Sequence, residues 1–146
     1  MSREDVLVDD HLLLRVLLDE EPPELRPAGA QIFTTGLWYH RLSRALVNRS
    51  VTGALSRLLG PVDPLTAAGA VRASITLPET IGLLSLRNLA WPMARLLDQG
   101  VRLNLMSLEA LAAAEQLDAL LCLAIEDGNR PLLAAAEARG VPALLM

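Results

Sequence analysis

Apolar residues fall along this chain in short blocks divided by turn formers, and the blocks alternate between strand-length runs and helix-length stretches. Val6-Leu7-Val8 is a strand-like run that ends on Asp9-Asp10-His11. Leu12 to Glu20 is apolar on nearly all sides, which predicts a buried helix stopped by Pro22-Pro23. A polar, Pro-rich linker over 20–29 leads to Gln31-Ile32-Phe33-Thr34, predicted as a short edge strand. Thr35 then caps a helix through Asn48, with Trp38, Leu42, Ala45 and Leu46 on its apolar face. Thr52 to Leu59 predicts a short helix ended by Gly60. Asp63-Pro64 supplies the cap and first position of the next helix, which fades near Ala73. Leu77-Pro78 breaks the chain, and Ile81 to Leu84 is a short strand or an extended connector. Asn88 to Gln99 forms an amphipathic helix closed by Gly100, in which Pro92 is tolerable only near the first turn.

The stretch from Asn104 to Val141 is the most informative. Ser107 can cap a helix that runs through Glu109 and the Ala112–Ala114 run to about Gln116. Leu120 to Ile125 is apolar without helical periodicity and has the length of a strand covered on both faces. It ends at the turn formers Glu126-Asp127-Gly128-Asn129, after which Pro131 opens a second Ala-rich helix that Gly140 closes. The alternation predicts an α/β fold: a three-layer α/β/α sandwich built on a small, mostly parallel sheet.

Composition narrows the picture. With 146 residues, 52% of them hydrophobic, the chain suits a single domain over 1–146 with a substantial core. All thirteen basic residues are Arg, the better residue for gripping phosphate bidentately. A formal charge of −4 argues against a broad non-specific nucleic-acid surface, while leaving room for a local basic patch. The one Cys excludes an internal disulfide, and Cys122 sits in an apolar run as a small hydrophobe. Ser2-Arg3-Glu4-Asp5 begins no signal region and no apolar stretch reaches membrane-span length, so the expectation is a cytoplasmic protein without membrane contact.

The chemistry left to the chain is acidic. It has no Gly-rich phosphate loop, paired Cys or His-x-x-x-His, and only two His, His11 and His40. What remains is Asp9/Asp10, Glu109 and Glu126/Asp127, all placed where predicted strands end or helices begin. In a parallel sheet the carboxyl ends of the strands are where ligands gather. Three carboxylate positions there suit a hard cation such as Mg²⁺ or Mn²⁺, which can activate water for phosphodiester hydrolysis. Each acid also has a plainer use: Asp9 or Asp10 can cap the following helix, and Glu109 can complement a helix dipole. His11 reads as a polar group in a helix's first turn. On the helix after Thr35, His40, Arg41, Arg44 and Arg49 line one side, as a solvated face or as a phosphate contact.

The order of these pieces resembles the PIN domain, the metal-dependent ribonuclease fold of many prokaryotic toxin–antitoxin toxins. Val6 to Leu13 is similar to the family's first strand, with Asp9 on its Asp and His11 on its Ser. Leu105 to Ala114 is similar to the segment in which an Asp-Ala pair opens an Ala-rich helix, with Glu109 on the Asp. Leu123 to Asn129 resembles a strand and turn reading Thr-x-Asp, with Asp127 on the Thr and Asn129 on the Asp, or with Asp127 on the acid after a shift of two. Leu132 to Val141 matches the next helix. The resemblance implies a Mg²⁺- or Mn²⁺-dependent endoribonuclease with Asp9, Glu109 and Asp127 catalytic and with Asp9, Glu109, Asp127 and Asn129 around the metal. It further implies RNA as substrate, an antitoxin-like protein partner and a homodimer. Trp38 and Trp91, on helices one small sheet cannot fully cover, point the same way.

Arg41 departs from that pattern. Aligned on Leu42 and Ala45-Leu46, it stands where the family has a Glu that completes the acidic cluster, and a cation there repels a metal. The expectation is therefore a divergent PIN-like protein with weakened or lost activity. The alternative is an inactive binding module whose Arg41 and Arg44 contact nucleic acid or a protein; a flavodoxin-like domain without a phosphate site is a third reading.

Overall fold

Each strand of this protein is three or four residues long and mostly apolar, because helices cover the sheet on both sides. The computed structural model describes residues 5–26, 29–47 and 62–146. Among these residues the chain forms β1 (Val6–Val8), α1 (Asp10–Leu17), β2 (Ile32–Thr35), α2 (Gly36–Val47) and α3 (Pro64–Ile75), then β3 (Ile81–Leu84), α4 (Leu86–Asp98), α5 (Leu105–Leu117), β4 (Leu120–Leu123), α6 (Arg130–Ala138) and β5 (Ala143–Leu145). The helix predicted over Thr52 to Leu59 lies outside the described residues.

The five strands run parallel in the order β3-β2-β1-β4-β5. Alternation along β1 assigns the faces: Val6 and Val8 join Cys122 on one side, while Leu7 joins Leu121 and Leu123 on the other. The first side is covered by α1, α2 and α3 through Leu12, Leu13, Leu42, Leu46, Ala67 and Ala70. The second is covered by α4, α5 and α6, where the Ala110–Ala114 run lets α5 lie close to the sheet. Trp38 of α2 crosses to this second layer and is 1% exposed, so α2 ties both layers together at the carboxyl edge. This is the expected three-layer α/β/α sandwich.

Several local expectations change. Ile32–Thr35 is an interior strand, between β1 and β3, where an edge strand was predicted; β5 is an additional strand beyond Gly140. Helix α5 begins earlier than Ser107: Asn104 is its cap and accepts the Ser107 N–H at 2.8 Å. Helix α4 begins at Leu86, so Pro92 falls well inside it. Pro92 has no N–H to donate to the Asn88 carbonyl, so the helix continues past it without that bond. The caps at Asp63 and Thr35 form as predicted, with Asp63 accepting the Thr66 N–H at 3.0 Å and Thr35 Oγ1 the Trp38 N–H at 3.3 Å.

The strand order locates a crevice. From β1 the chain builds outward to β2 and β3, then crosses back to place β4 and β5 on the other side of β1. The connections after β1 and β4 therefore diverge to opposite faces, leaving a gap at their carboxyl ends, where open α/β sheets take ligands.

Candidate metal centre

Asp9 is the first residue beyond β1, and the sheet fixes it from two directions. Its Oδ1 accepts the Leu12 N–H at 2.9 Å, capping α1, and its Oδ2 accepts the Ala124 N–H at 2.8 Å, just past β4. The carboxylate thus bridges the two strands that border the crevice. Asp9 is fully buried, and burial pushes its pKa up to about 6 against the pull of those two backbone donors. Capping engages the side chain without turning it out of the crevice.

Asp10 is the first residue of α1 and equally buried, and it faces a cation. Arg41, on α2, donates from Nε to Oδ2 and from Nη2 to Oδ1, the latter at 2.7 Å. Burial opposes ionisation of Asp10, but the Arg41 hydrogen bonds, aided by His11, outweigh it and hold the carboxyl below its ordinary range. The same Arg41 Nη2 reaches Asp127 Oδ2 at 3.2 Å, linking α2 to the turn after β4. The Asp10 contact, followed by the charges of Asp10 and Asp127, makes the guanidinium still harder to deprotonate.

His11 sits in the same corner. Its Nδ1 lies 3.2 Å from Asp10 Oδ1, and the residue is 5% exposed. Burial lowers its pKa, but the Asp10 hydrogen bond and the charges of Asp10, Asp9 and Asp127 leave it raised. His11 Nε2 has no hydrogen-bond partner, the one fully buried side-chain nitrogen or oxygen so placed among the described residues. One ligand atom each from Asp9, His11 and Asp127 come within 4.8 Å of one another, a spacing that a single ion can span.

The remaining residues singled out in the sequence have other engagements. Glu109, 1% exposed on α5, accepts the Leu37 N–H at 2.8 Å and so serves the first turn of α2; it is not in the converging set. Asn129 caps α6 by accepting the Leu132 N–H at 3.3 Å, while its Nδ2 donates to Ser107 Oγ at 3.1 Å. These two side chains hold the helices around the crevice together. Glu126 is exposed at the turn, and Arg44 and His40 are exposed on the outer side of α2. Cys122 is buried in β4, and burial, then the charge of Asp9, pushes its thiol up to about 12, which keeps it inert.

The crevice accordingly brings together Asp9, Asp10 and Asp127 from the anticipated acids and engages Glu109 and Asn129 in hydrogen bonds to neighbouring helices. It adds His11, read in the sequence as a polar group in a helix's first turn, which shares the strand-end corner with Asp9 and Asp10.

The donor set fits a cation in spacing and in ligand type. Asp9 and Asp127 offer carboxylate oxygens and His11 an imidazole nitrogen, a mixed set that a divalent ion can engage. No protein-family model and no curated protein matches this chain.

Proposed function

We propose that this chain is a divergent PIN-like protein acting on RNA, in which Asp9 and Asp127 hold a divalent cation, Mg²⁺ or Mn²⁺, for weak phosphodiester hydrolysis. The observation that carries this reading is the convergence of two carboxylates and an imidazole on the crevice between β1 and β4. A hard cation held there by Asp9 and Asp127 would supply an activated water and offset the charge of a phosphate. The chain's own residues set the conditions. Asp9 is held rigidly by two backbone donors, so its position needs no reorganisation when a cation arrives. Arg41 tethers Asp127 to Asp10 and competes with the cation for Asp127, which weakens the site and limits activity. Glu109 acts as a positioning residue through the first turn of α2, the helix that carries Arg41.

The second reading is a binding module without catalysis, favoured by Arg41 already standing as a cation among the acids. Since that guanidinium is engaged, contact with nucleic acid or with an antitoxin-like protein then falls to exposed Arg44. The experiment that separates the readings is Mn²⁺-dependent cleavage of a mixed RNA pool, with Asp9→Asn as control. Cleavage lost in the control supports the nuclease. RNA retention without cleavage, abolished by Arg44→Ala, supports the module.

A further inference from the structure

We infer that His11 is a metal ligand through Nε2, and that the site therefore selects a borderline transition-metal ion over Mg²⁺. The inference rests on the reading that Asp9 and Asp127 hold a cation. Three observations carry it further. First, a ring nitrogen of His11 belongs to the same cluster as the Asp9 and Asp127 oxygens, all within 4.8 Å. Second, Nδ1 is already bonded to Asp10 at 3.2 Å, so Nε2 is the nitrogen left to bind an ion, and it is the buried nitrogen without a partner. A buried polar atom left unpaired is costly, and coordination would recover that cost. Third, a ligating His characteristically donates its other ring N–H to a carboxylate, which fixes the tautomer and raises the basicity of the ligand nitrogen. Asp10 stands in that place, itself held by Arg41.

This arrangement gives the Asp10–Arg41 pair a purpose beyond neutralising charge. Arg41 pins Asp10, Asp10 engages Nδ1, and Nε2 is the ring nitrogen left for an ion. A nitrogen ligand beside two carboxylates changes the preferred cation. Mg²⁺ favours all-oxygen shells and keeps its waters, whereas imidazole suits Zn²⁺, Fe²⁺ and Ni²⁺, with Mn²⁺ tolerating a mixed set.

The test uses the unmodified full chain labelled with ¹⁵N at histidine. His40, exposed on the outer side of α2, serves as internal reference. Titration with Zn²⁺ and separately with Mg²⁺, followed by imidazole ¹⁵N spectra, should move the Nε2 resonance of His11 with Zn²⁺ at one equivalent while His40 stays in place. Calorimetry should give Zn²⁺ at least about tenfold tighter than Mg²⁺, with the difference lost in a folded His11→Gln variant. Binding of either ion with His11 Nε2 unmoved would overturn the inference and leave the carboxylate site standing. Coordination by His11 without RNA cleavage would uphold the inference and remove the nuclease reading. No binding of any divalent ion would sink both.

Discussion

Arg41 grips Asp10 through two nitrogens of its guanidinium and reaches Asp127 with one of them, so a single side chain ties the first turn of α1 to the turn after β4. Asp10 is fully buried while the Arg41 side chain is 35% exposed, and the carboxylate depends on the pair more than the guanidinium does. Arg41→Ala should leave a buried charge unpaired and cost about 3 kcal/mol or more in urea denaturation. Asp10→Asn combined with Arg41→Ala should recover a large part of that loss. A loss in the double variant equal to the sum of the losses in Arg41→Ala and Asp10→Asn would show that the pair is not coupled.

Restoring an acid at position 41 alone should fail. Arg41→Glu would set a carboxylate against buried Asp10 and exposes the fold to like-charge repulsion. The productive change is Arg41→Glu with Asp10→Asn, which removes the clash and adds a net negative charge to the crevice. We expect Mn²⁺ to bind this double variant roughly tenfold tighter than the unmodified chain by calorimetry, since ligand charge tunes such affinities. Unchanged affinity would place the ion away from Arg41.

Asp9 makes stability fall as pH rises across a defined window. Its folded pKa of about 6 lies above the ordinary 3.8, so the folded state holds the proton more tightly. Stability contributed by the protonated carboxyl is present below about pH 3.8 and is lost as pH climbs to about 6, by about 3 kcal/mol in all. Asp10 works in the opposite sense: its depressed pKa adds stability above the ordinary value that acid removes below it. In EDTA, denaturation of the unmodified chain relative to Asp9→Asn should show the Asp9 slope between about pH 4 and 6. A flat difference would mean that Asp9 is hydrated or paired in solution.

Glu109 separates a structural acid from a ligand. Glu109→Gln keeps an oxygen to accept the Leu37 N–H and should leave both stability and Mn²⁺ affinity nearly unchanged. Glu109→Ala should cost about 1–3 kcal/mol by stranding that donor beside α2. A large loss of Mn²⁺ affinity in folded Glu109→Gln would instead put Glu109 in the metal shell.

The two tryptophans, alike in sequence as apolar surplus on helices, divide in the structure: Trp38 is 1% exposed and Trp91 is 75% exposed. We expect a homodimer, and only Trp91 remains to serve it, with Leu97 on the same helix 45% exposed. Light scattering at micromolar concentration should give twice the chain mass, falling toward the monomer in Trp91→Glu. A monomeric unmodified chain would reject the expectation.

Local physics determined much of this protein from its sequence. Apolar runs of strand length between turn formers can be buried only in a covered parallel sheet, and Asp63, Thr35 and Gly140 mark helix ends by chemistry internal to a few residues. The place of Asp9 at a strand end was legible for the same reason. Tertiary structure decided what the sequence left open, because each decision joins residues far apart in the chain. The strand order made β2 interior and put Asp9 beside Ala124, 115 residues away. The approach of α2 to the first turn of α1 gave Arg41 to Asp10, and the packing of α5 beneath α2 turned Glu109 to the Leu37 N–H. His11 shows the limit most plainly. Its position in a helix's first turn follows from sequence, but the burial of its second ring nitrogen and its approach to Asp127 join residues far apart in the chain, and no periodicity encodes that.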